Sequence, residues 1–331
     1  MIINQDFKTF YPEFISAFSK EYEECIKSVT PHSLYDPLHY VMSHSGKQIR
    51  PAILAGTALS FKDMDLKEII PAACSIEMIH NFTLIHDDIM DNDLLRHGMK
   101  TVHAKWGINE AILSGDGLFA IALQQLDYYT KEPQLYSKIM PLVLKAVTVV
   151  CEGQADDMEF ETRNDVVLDE YLKMVEGKTA YLLAVSARLG ALIADVDPEI
   201  EFLSEKIIRE LGLVFQIQDD LLELTSNQEN MGKTLGSDLI KQKKTFPYLF
   251  AKQEFDQNTW NEFQHRISEK YIVENGIDPA KELLENNFVF DRVREVITLR
   301  HDIIQEMIRM LPQRNRNMFT SMVKFVMNRK N

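Results

Sequence analysis

Residues 79–98 read IHNFTLIHDDIMDNDLLRHG, and residues 215–223 read FQIQDDLLE. In each, an adjacent Asp pair is followed by a further carboxylate at helical spacing: Asp87, Asp88 and Asp91, then Asp219, Asp220 and Glu223. Residues i and i+4 of an α-helix are neighbours one turn apart, so Asp87 and Asp91 project from one face, and the second trio likewise shares a face. Apolar residues surround both clusters, which places each on a largely buried helix. Stacked carboxylates there repel one another unless divalent cations or strongly basic partners neutralise them. Mg2+ suits them, with Mn2+ as a substitute, because it takes carboxylate oxygens while keeping waters and substrate phosphate oxygens in its octahedron. Two such clusters point to a cavity that grips a phosphorylated substrate through metal ions.

The plainer reading is a solvated acidic face, and the chain has acids to spare: 50 Asp+Glu against 36 Lys+Arg, a net charge of −14. Two features count against it. Apolar residues run up to both clusters, and basic residues able to bind phosphate recur at fixed places elsewhere.

Composition bounds the rest. At 331 residues, with only 13 Gly and 11 Pro and no Ser/Gly/Pro linker, the chain is expected to form one domain over 1–331. Its acidity excludes nucleic acid as a partner, and an anionic substrate must be drawn in by local Lys, Arg and metal. Cys25, Cys74 and Cys151 are widely separated and lack C-x-x-C spacing, which argues for free thiols in a reducing cytoplasm. The N-terminus, MIINQDFKTFYPEF, lacks the basic and apolar regions of a signal peptide. No run of about 18 apolar residues stands out, so no transmembrane segment is expected.

Helical periodicity dominates, and no alternating strand pattern competes with it. The expected helices cover about 5–27, 36–44, 51–61, 66–93, 107–130, 134–163, 167–193, 199–224, 238–252, 257–270, 276–286, 288–311 and 315–329. Pro51, Pro71, Pro133, Pro198 and Pro279 fall near the starts, where a missing N–H costs little.

Basic residues gather in four places. In SGKQIRP, residues 45–51, Gly46 supplies a tight turn and Pro51 reads as the first residue of a helix. Lys47 and Arg50 then stand just ahead of a helix N-terminus, which itself favours anions. Arg96 and His97 follow the first acidic cluster beside Gly98. Lys178 and Thr179 occur in VEGKTAYLL, within an apolar helix, and Lys233 and Lys243 lie in a loop after the second cluster. MGKT at 231–234 is not a P-loop, since the spacing fails and no strand precedes it.

Taken in order, these motifs resemble those of the trans-isoprenyl diphosphate synthases, the polyprenyl synthetase family, from about Gly46 to Pro247. That family carries GKxxRP, DDxxD followed by RRG, GQxxD, KT, FQxxDD and a GK…K loop. They are matched here by Gly46–Pro51, Asp87–Asp91 with Arg96–Gly98, Gln154 and Asp157, Lys178–Thr179, Gln216 with Asp219 and Asp220, and Lys233 with Lys243. His80 falls where the family has a His or Gln against the homoallylic substrate. Four positions depart from the pattern: His97 replaces the second Arg, Lys100 a usual Pro, Glu223 the last Asp, and Gln242 a common Gly.

The resemblance implies an all-α fold, a large antiparallel helical bundle around a central cavity, forming a homodimer. It implies head-to-tail condensation of isopentenyl diphosphate with an allylic diphosphate. Asp87, Asp91 and Asp219 would hold Mg2+ on the allylic diphosphate, with Asp88, Asp220 and Glu223 acting more through indirect contacts. Arg96, Lys178 and Lys233 would stabilise the leaving group. Lys47, Arg50, His80 and His97 would hold isopentenyl diphosphate. Thr179 and Gln216 would contact the allylic substrate, and Gln154 and Asp157 would orient the cationic residues. In the family the fifth residue before the first Asp sets the cavity floor. Here it is Phe82, which implies a C20 product, with C15 next. Two other readings share the fold. A terpene cyclase would need an Asn/Asp, Ser/Thr, Glu series where this chain has DDLLELTSN; a non-catalytic subunit of a heteromeric prenyl synthase would be expected to have lost metal carboxylates that this chain keeps.

Overall fold

The computed structural model describes residues 6–96, 98–226 and 236–328. The order of elements begins α1 (Phe7–Glu24), α2 (His32–Ser43), α3 (Ile49–Phe61), a 3₁₀ turn (Leu66–Glu68) and α4 (Ile70–Met90). A hairpin of β1 (Leu95–Arg96) and β2 (Met99–Lys100) leads to α5 (Val102–Trp106) and α6 (Ile108–Gln125). A 3₁₀ segment (Leu126–Lys131) precedes α7 (Pro133–Thr162) and α8 (Leu168–Val175); a π turn (Glu176–Ala180) precedes α9 (Tyr181–Ile193) and α10 (Pro198–Thr225). The chain closes with α11 (Ser237–Ile240), α12 (Phe246–Glu254), α13 (Gln257–Arg266), α14 (Glu269–Asn275), α15 (Asp278–Asn286), α16 (Val289–Met310) and α17 (Gln313–Met327). The all-α class is as expected.

The chain falls into two compact units. The first comprises Met1–Thr148, Leu182–Ile208 and Met307–Phe325; the second comprises Val149–Tyr181, Arg209–Glu306 and Val326–Asn331.

In the first unit, α1 starts at Asp6, whose carboxylate caps the helix by accepting from the Thr9 N–H. Phe7, Phe10, Phe14, Phe18 and Tyr22 recur every three or four residues and are all buried. From Phe10 to Tyr22 successive rings stack with centroids 5.4 Å apart. This aromatic spine gives α1 a continuous apolar stripe to lay against the unit. α3 is apolar almost all round and buried at every position except Arg50, the signature of a central helix. At Gly190 of α9 a β-carbon would lie 2.2 Å from the Leu54 carbonyl oxygen, so the two backbones touch and only glycine fits. α4 packs against α3 and α6.

The second unit has its own core, built from Phe160, Tyr171, Ile217, Leu221, Phe246, Phe263, Leu284 and Val293, among others.

Departures from the expected elements have physical causes. The helix expected over 167–193 contains the π turn, since apolar spacing does not report hydrogen-bond register. The one expected over 238–252 is two helices, because Gln242 takes a left-handed φ of 53° and Pro247 enforces a fresh start. The short hairpin turns at Gly98, with φ 78°, and four strand residues are too few to show alternation. In the 45–51 loop the left-handed residue is Gln48, with φ 48°, rather than Gly46, and α3 begins at Ile49 rather than Pro51. Among the described residues α7 is long and apolar enough to cross a membrane, which by itself marks no clear transmembrane segment. Only 22% of its most apolar window is buried, which leaves apolar surface to be covered.

Candidate active site

The first acidic cluster occupies the last turn of α4. Asp88 is 5% exposed, and Arg96 of β1 grips it, with Nε at 2.7 Å and Nη2 at 2.6 Å from Oδ1. The same Nη2 lies 3.5 Å from Asp87. Burial pushes the Asp88 carboxyl up, and the Arg96 charge opposes that push. Asp91 caps the helix, its N–H donating to the Asp87 carbonyl at 2.8 Å. Asp87 and Asp91 are therefore one turn apart, as the spacing requires, and both are half-buried. The hairpin exists, in effect, to bring one guanidinium back over the end of α4.

Further up α4, half-buried His80 precedes Asn81, whose side-chain amide donates to Tyr22 Oη at 2.7 Å and Ser45 Oγ at 2.9 Å. Asn81 thereby ties the 45–51 loop to α4. The loop is held from α1 as well. The Tyr11 hydroxyl donates to the Lys47 carbonyl, and Ser19 Oγ donates to buried Gln48 Oε1 at 2.7 Å. Lys47 is exposed, and Arg50 lies half-buried inside the first turn of α3 rather than ahead of it. Beneath them Glu77 is 2% exposed, and its Oε2 has no hydrogen-bond partner among the described residues. Burial pushes its carboxyl up to about 7, with the Arg50 charge pulling the other way. Phe82, 9% exposed, meets Phe119 of α6 at 5.4 Å and His86 edge-on at 5.1 Å between centroids.

The second cluster lies near the end of α10. Asp220 is 7% exposed and accepts three hydrogen bonds: from the Tyr171 hydroxyl, from the Phe246 N–H at 2.8 Å and from Gln216 Nε2 at 3.0 Å. Burial nevertheless pushes its carboxyl up to about 6, the donors opposing. Asp219 and Glu223 are half-buried, and Glu223 accepts from the Asp238 N–H at 3.2 Å. The π turn carries Lys178 and Thr179. Lys178 Nζ sits 2.6 Å from Asp157 of α7, and Thr179 Oγ1 reaches Gln216 Oε1 at 3.5 Å. That close packing depends on Gly153, where a β-carbon would lie 2.3 Å from the Lys178 nitrogen. π turns commonly mark functional positions, and this one turns the KT pair toward both α7 and α10.

Each unit thus assembles its own share of the residues singled out in the sequence. Asp87, Asp88, Asp91 and Arg96 come together in the first. Asp157, Lys178, Thr179, Gln216 and Asp220 form one connected set in the second. Lys243 is half-buried at the start of α12's approach, its N–H donating to the Asp238 carbonyl at 2.8 Å. His97 and Lys233 lie outside the described residues. Tyr171 reads in the sequence as one more core aromatic, and the Phe246 N–H is invisible there, since a backbone donor has no side-chain signature.

The donor chemistry fits Mg2+. Asp87, Asp91, Asp219 and Glu223 offer hard carboxylate oxygens at half-buried positions. Among the described residues no three His, Cys, Asp or Glu side chains are grouped so as to hold a metal ion by themselves. Beside the Lys178–Asp157 pair, the side-chain nitrogen of Gln154 is buried with no hydrogen-bond partner among the described residues, a donor left for something else to satisfy.

The sequence model of the polyprenyl synthetase family matches residues 31–281. Among curated proteins, a geranylgeranyl diphosphate synthase of Methanosarcina mazei is 43% identical over 229 residues, 69% of this chain and 70% of its own length. The geranylgeranyl diphosphate synthase of Saccharolobus solfataricus is 30% identical over 318 residues, 95% of this chain and 94% of its own. Among solved structures, geranylgeranyl pyrophosphate synthetase from Pyrococcus horikoshii superposes with a TM-score of 0.89 at 31% identity, covering 97% of this chain and 99% of the other.

Proposed function

The chain belongs to the polyprenyl synthetase family, and on that premise we propose that it is a head-to-tail prenyltransferase joining isopentenyl diphosphate to an allylic diphosphate to give a C20 product. The observation that carries the reading is the state of the two Asp pairs. In each, the inner carboxylate, Asp88 or Asp220, is fixed by protein donors, and its neighbour, Asp87 or Asp219, stands half-buried beside it. A structural acidic patch has no need to fix one carboxylate of each pair.

Asp87, Asp91 and Asp219 are the residues that would hold Mg2+, with Asp88, Asp220 and Glu223 setting their positions. Bound there, Mg2+ neutralises charge on the diphosphate that leaves. Lys178, aimed by Asp157, and Arg96, aimed by Asp88, add fixed positive charge to the departing diphosphate as the allylic C–O bond breaks. Lys47, Arg50 and His80 hold isopentenyl diphosphate so that its double bond meets the allylic cation. The new C–C bond forms, and the proton next to the resulting cation passes to the released pyrophosphate. Thr179 and Gln216 contact the allylic group. Apolar lining keeps water from quenching the cation. Phe82, backed by Phe119, limits chain growth from a position about 7.5 Å along α4 from Asp87.

The family match runs through residues of both compact units, which supports one polyprenyl synthetase domain over 1–331. Exposed Ile108, Ile112 and Leu113 on α6 and Leu144 on α7 support a homodimer in which a second copy covers them. The three cysteines are free thiols, which suits the cytoplasm.

The test is incubation with labelled isopentenyl diphosphate and farnesyl diphosphate, followed by separation of the dephosphorylated products. A C20 alcohol is expected, with longer alcohols from Phe82→Ala. Cyclic hydrocarbons would indicate a cyclase, and no product from the purified chain would indicate a non-catalytic subunit. An unchanged distribution for Phe82→Ala would move the floor elsewhere.

A further inference from the structure

Cys25 and Cys74 lie 49 positions apart in sequence, yet their sulfurs are 3.2 Å apart. Cys25 closes the C-terminal end of α1; Cys74 sits in the second turn of α4 and is wholly buried. Cys25 is half-buried, so one thiol of the pair is open to a reagent and the other is not. Prenyl transfer uses neither.

The helices that carry them are fixed against each other nearby. Tyr22, one turn before Cys25, is fully buried and accepts a hydrogen bond from Asn81, two turns after Cys74. The sulfurs therefore face each other across an ordered contact. A disulfide has an S–S length of about 2.05 Å, so closure needs an approach of only about 1 Å, within reach of side-chain rotation. The environment also separates the two thiols. The hydrogen bond between the two sulfurs draws the Cys25 thiol down, whereas that bond and burial push Cys74 well up. An accessible, more acidic thiol beside a buried one is the arrangement of an attacking and a resolving cysteine.

We propose that Cys25 and Cys74 are a modification site, an oxidisable pair that closes to a reversible intramolecular disulfide on reaction with a low-molecular-weight disulfide. The Cys25 thiolate attacks one sulfur of the reagent, RSSR, forming a mixed disulfide and releasing one thiol. The Cys74 sulfur, giving up its proton, then attacks the Cys25 sulfur and releases the second thiol. Two protein thiols are oxidised to one cystine, and RSSR is reduced to two RSH. The closed form staples α1 to α4 near Asn81, which holds the 45–51 loop through Ser45.

The experiment uses the full chain with Cys151→Ser, an exposed position, so that only the pair remains. The protein is incubated with oxidised glutathione, denatured, treated with an alkylating agent and weighed intact. The expected product is about 2 Da lighter than the reduced chain and takes up no alkyl groups, and dithiothreitol restores two alkylatable thiols. Peptide mapping should recover the segment around Cys25 joined to that around Cys74. Two alkylated thiols after oxidation, or a glutathione adduct that persists on Cys25, would overturn the proposal. So would a disulfide between two chains on a non-reducing gel. None of these readouts depends on catalysis, so the proposal stands or falls apart from the proposed activity.

Discussion

The two Asp pairs share a sequence pattern but are stabilised by different chemistry. At the end of α4 the inner carboxylate, Asp88, is neutralised by a full positive charge, the Arg96 guanidinium brought back by the hairpin. Near the end of α10 the inner carboxylate, Asp220, has no cation on it among the described residues; a tyrosine hydroxyl, a backbone N–H and a glutamine amide donate to it instead. A charged partner lowers the cost of ionisation through space and leaves its own charge available to a ligand. Neutral donors fix geometry more tightly but neutralise less, and burial pushes the Asp220 carboxyl up to about 6 against them. The first pair is thus built to be part of a charged surface, the second to be a rigid post.

The largest effect tests what the pairs have in common. Asp87→Ala and Asp219→Ala should each lower turnover by about 10³-fold or more, since each removes a ligand for charge that develops on the leaving group. Circular dichroism should show the helical content unchanged. Near-normal turnover in either variant would mean that its pair is structural only.

The inner residues should separate the pairs. Asp88→Asn leaves a guanidinium facing a neutral amide in a partly buried place, and should cost about 1–3 kcal/mol of unfolding free energy. That is below the value for fully buried pairs because Arg96 keeps 30% of its side-chain surface in water. Asp220→Asn should cost about 1 kcal/mol or less. Tyr171 and Phe246 donate to the same oxygen, which an asparagine carbonyl can replace, and Gln216 can rotate its amide to accept from the new NH₂. Urea unfolding in metal-free buffer gives both values. The reverse order would show that Asp220 needs its charge and that the contrast is wrong.

Helical periodicity laid out most of the fold, because α1, α7 and α10 are long and their apolar spacing is regular. What it missed was local: a π turn at 176–180, a four-residue hairpin and the left-handed Gln48, none of which alters apolar spacing. Within the site, spacing showed which residues were charged and which shared a face. Asp87 and Asp88 are about 100° apart on a helix, so their side chains point in different directions. Nothing in the sequence identified the inward partner as Arg96 in one case and Tyr171 in the other, since both arrive from other elements.

A third buried acid sharpens the contrast by lacking the partners that Asp220 has. Glu77 is as buried as Asp220, its Oε2 has no described hydrogen-bond partner, and its carboxyl is pushed up to about 7. The unfolded value is about 4.3, so between these limits the folded state holds the proton and the unfolded state does not. Unfolding free energy therefore falls as pH rises through this window and stays low above it. Glu77→Gln should be more stable than the parent at pH 8, with the difference shrinking as pH falls toward about 4. Thermal unfolding of both proteins across that range is the measurement. A variant less stable at every pH would show that the Arg50 attraction outweighs burial.

The smallest effect concerns the turns that follow each pair. After the first, Gly98 is left-handed, with φ 78° and open space where a β-carbon would go, as is Asn92, with φ 53°. After the second, Gln242 is left-handed, with φ 53°, as is Gly236, with φ 78°, and Gln242 stands at a position where glycine is common in the family. A left-handed residue with a β-carbon costs roughly 1–2 kcal/mol, and glycine offsets part of any gain through its greater freedom in the unfolded chain. Gln242 is exposed, and the bonds it makes are through its backbone, to the Leu239 carbonyl and from the Lys244 ammonium, so truncation removes no described side-chain bond. Gln242→Gly should therefore raise the unfolding free energy by about 0.5 kcal/mol, and Gly98→Ala should lower it by about 1 kcal/mol. Opposite signs in denaturant unfolding would show that both turns are governed by backbone conformation alone. If Gln242→Gly destabilises instead, the glutamine side chain contributes to the 236–245 segment, and that turn, like Asp220, depends on neutral hydrogen bonds.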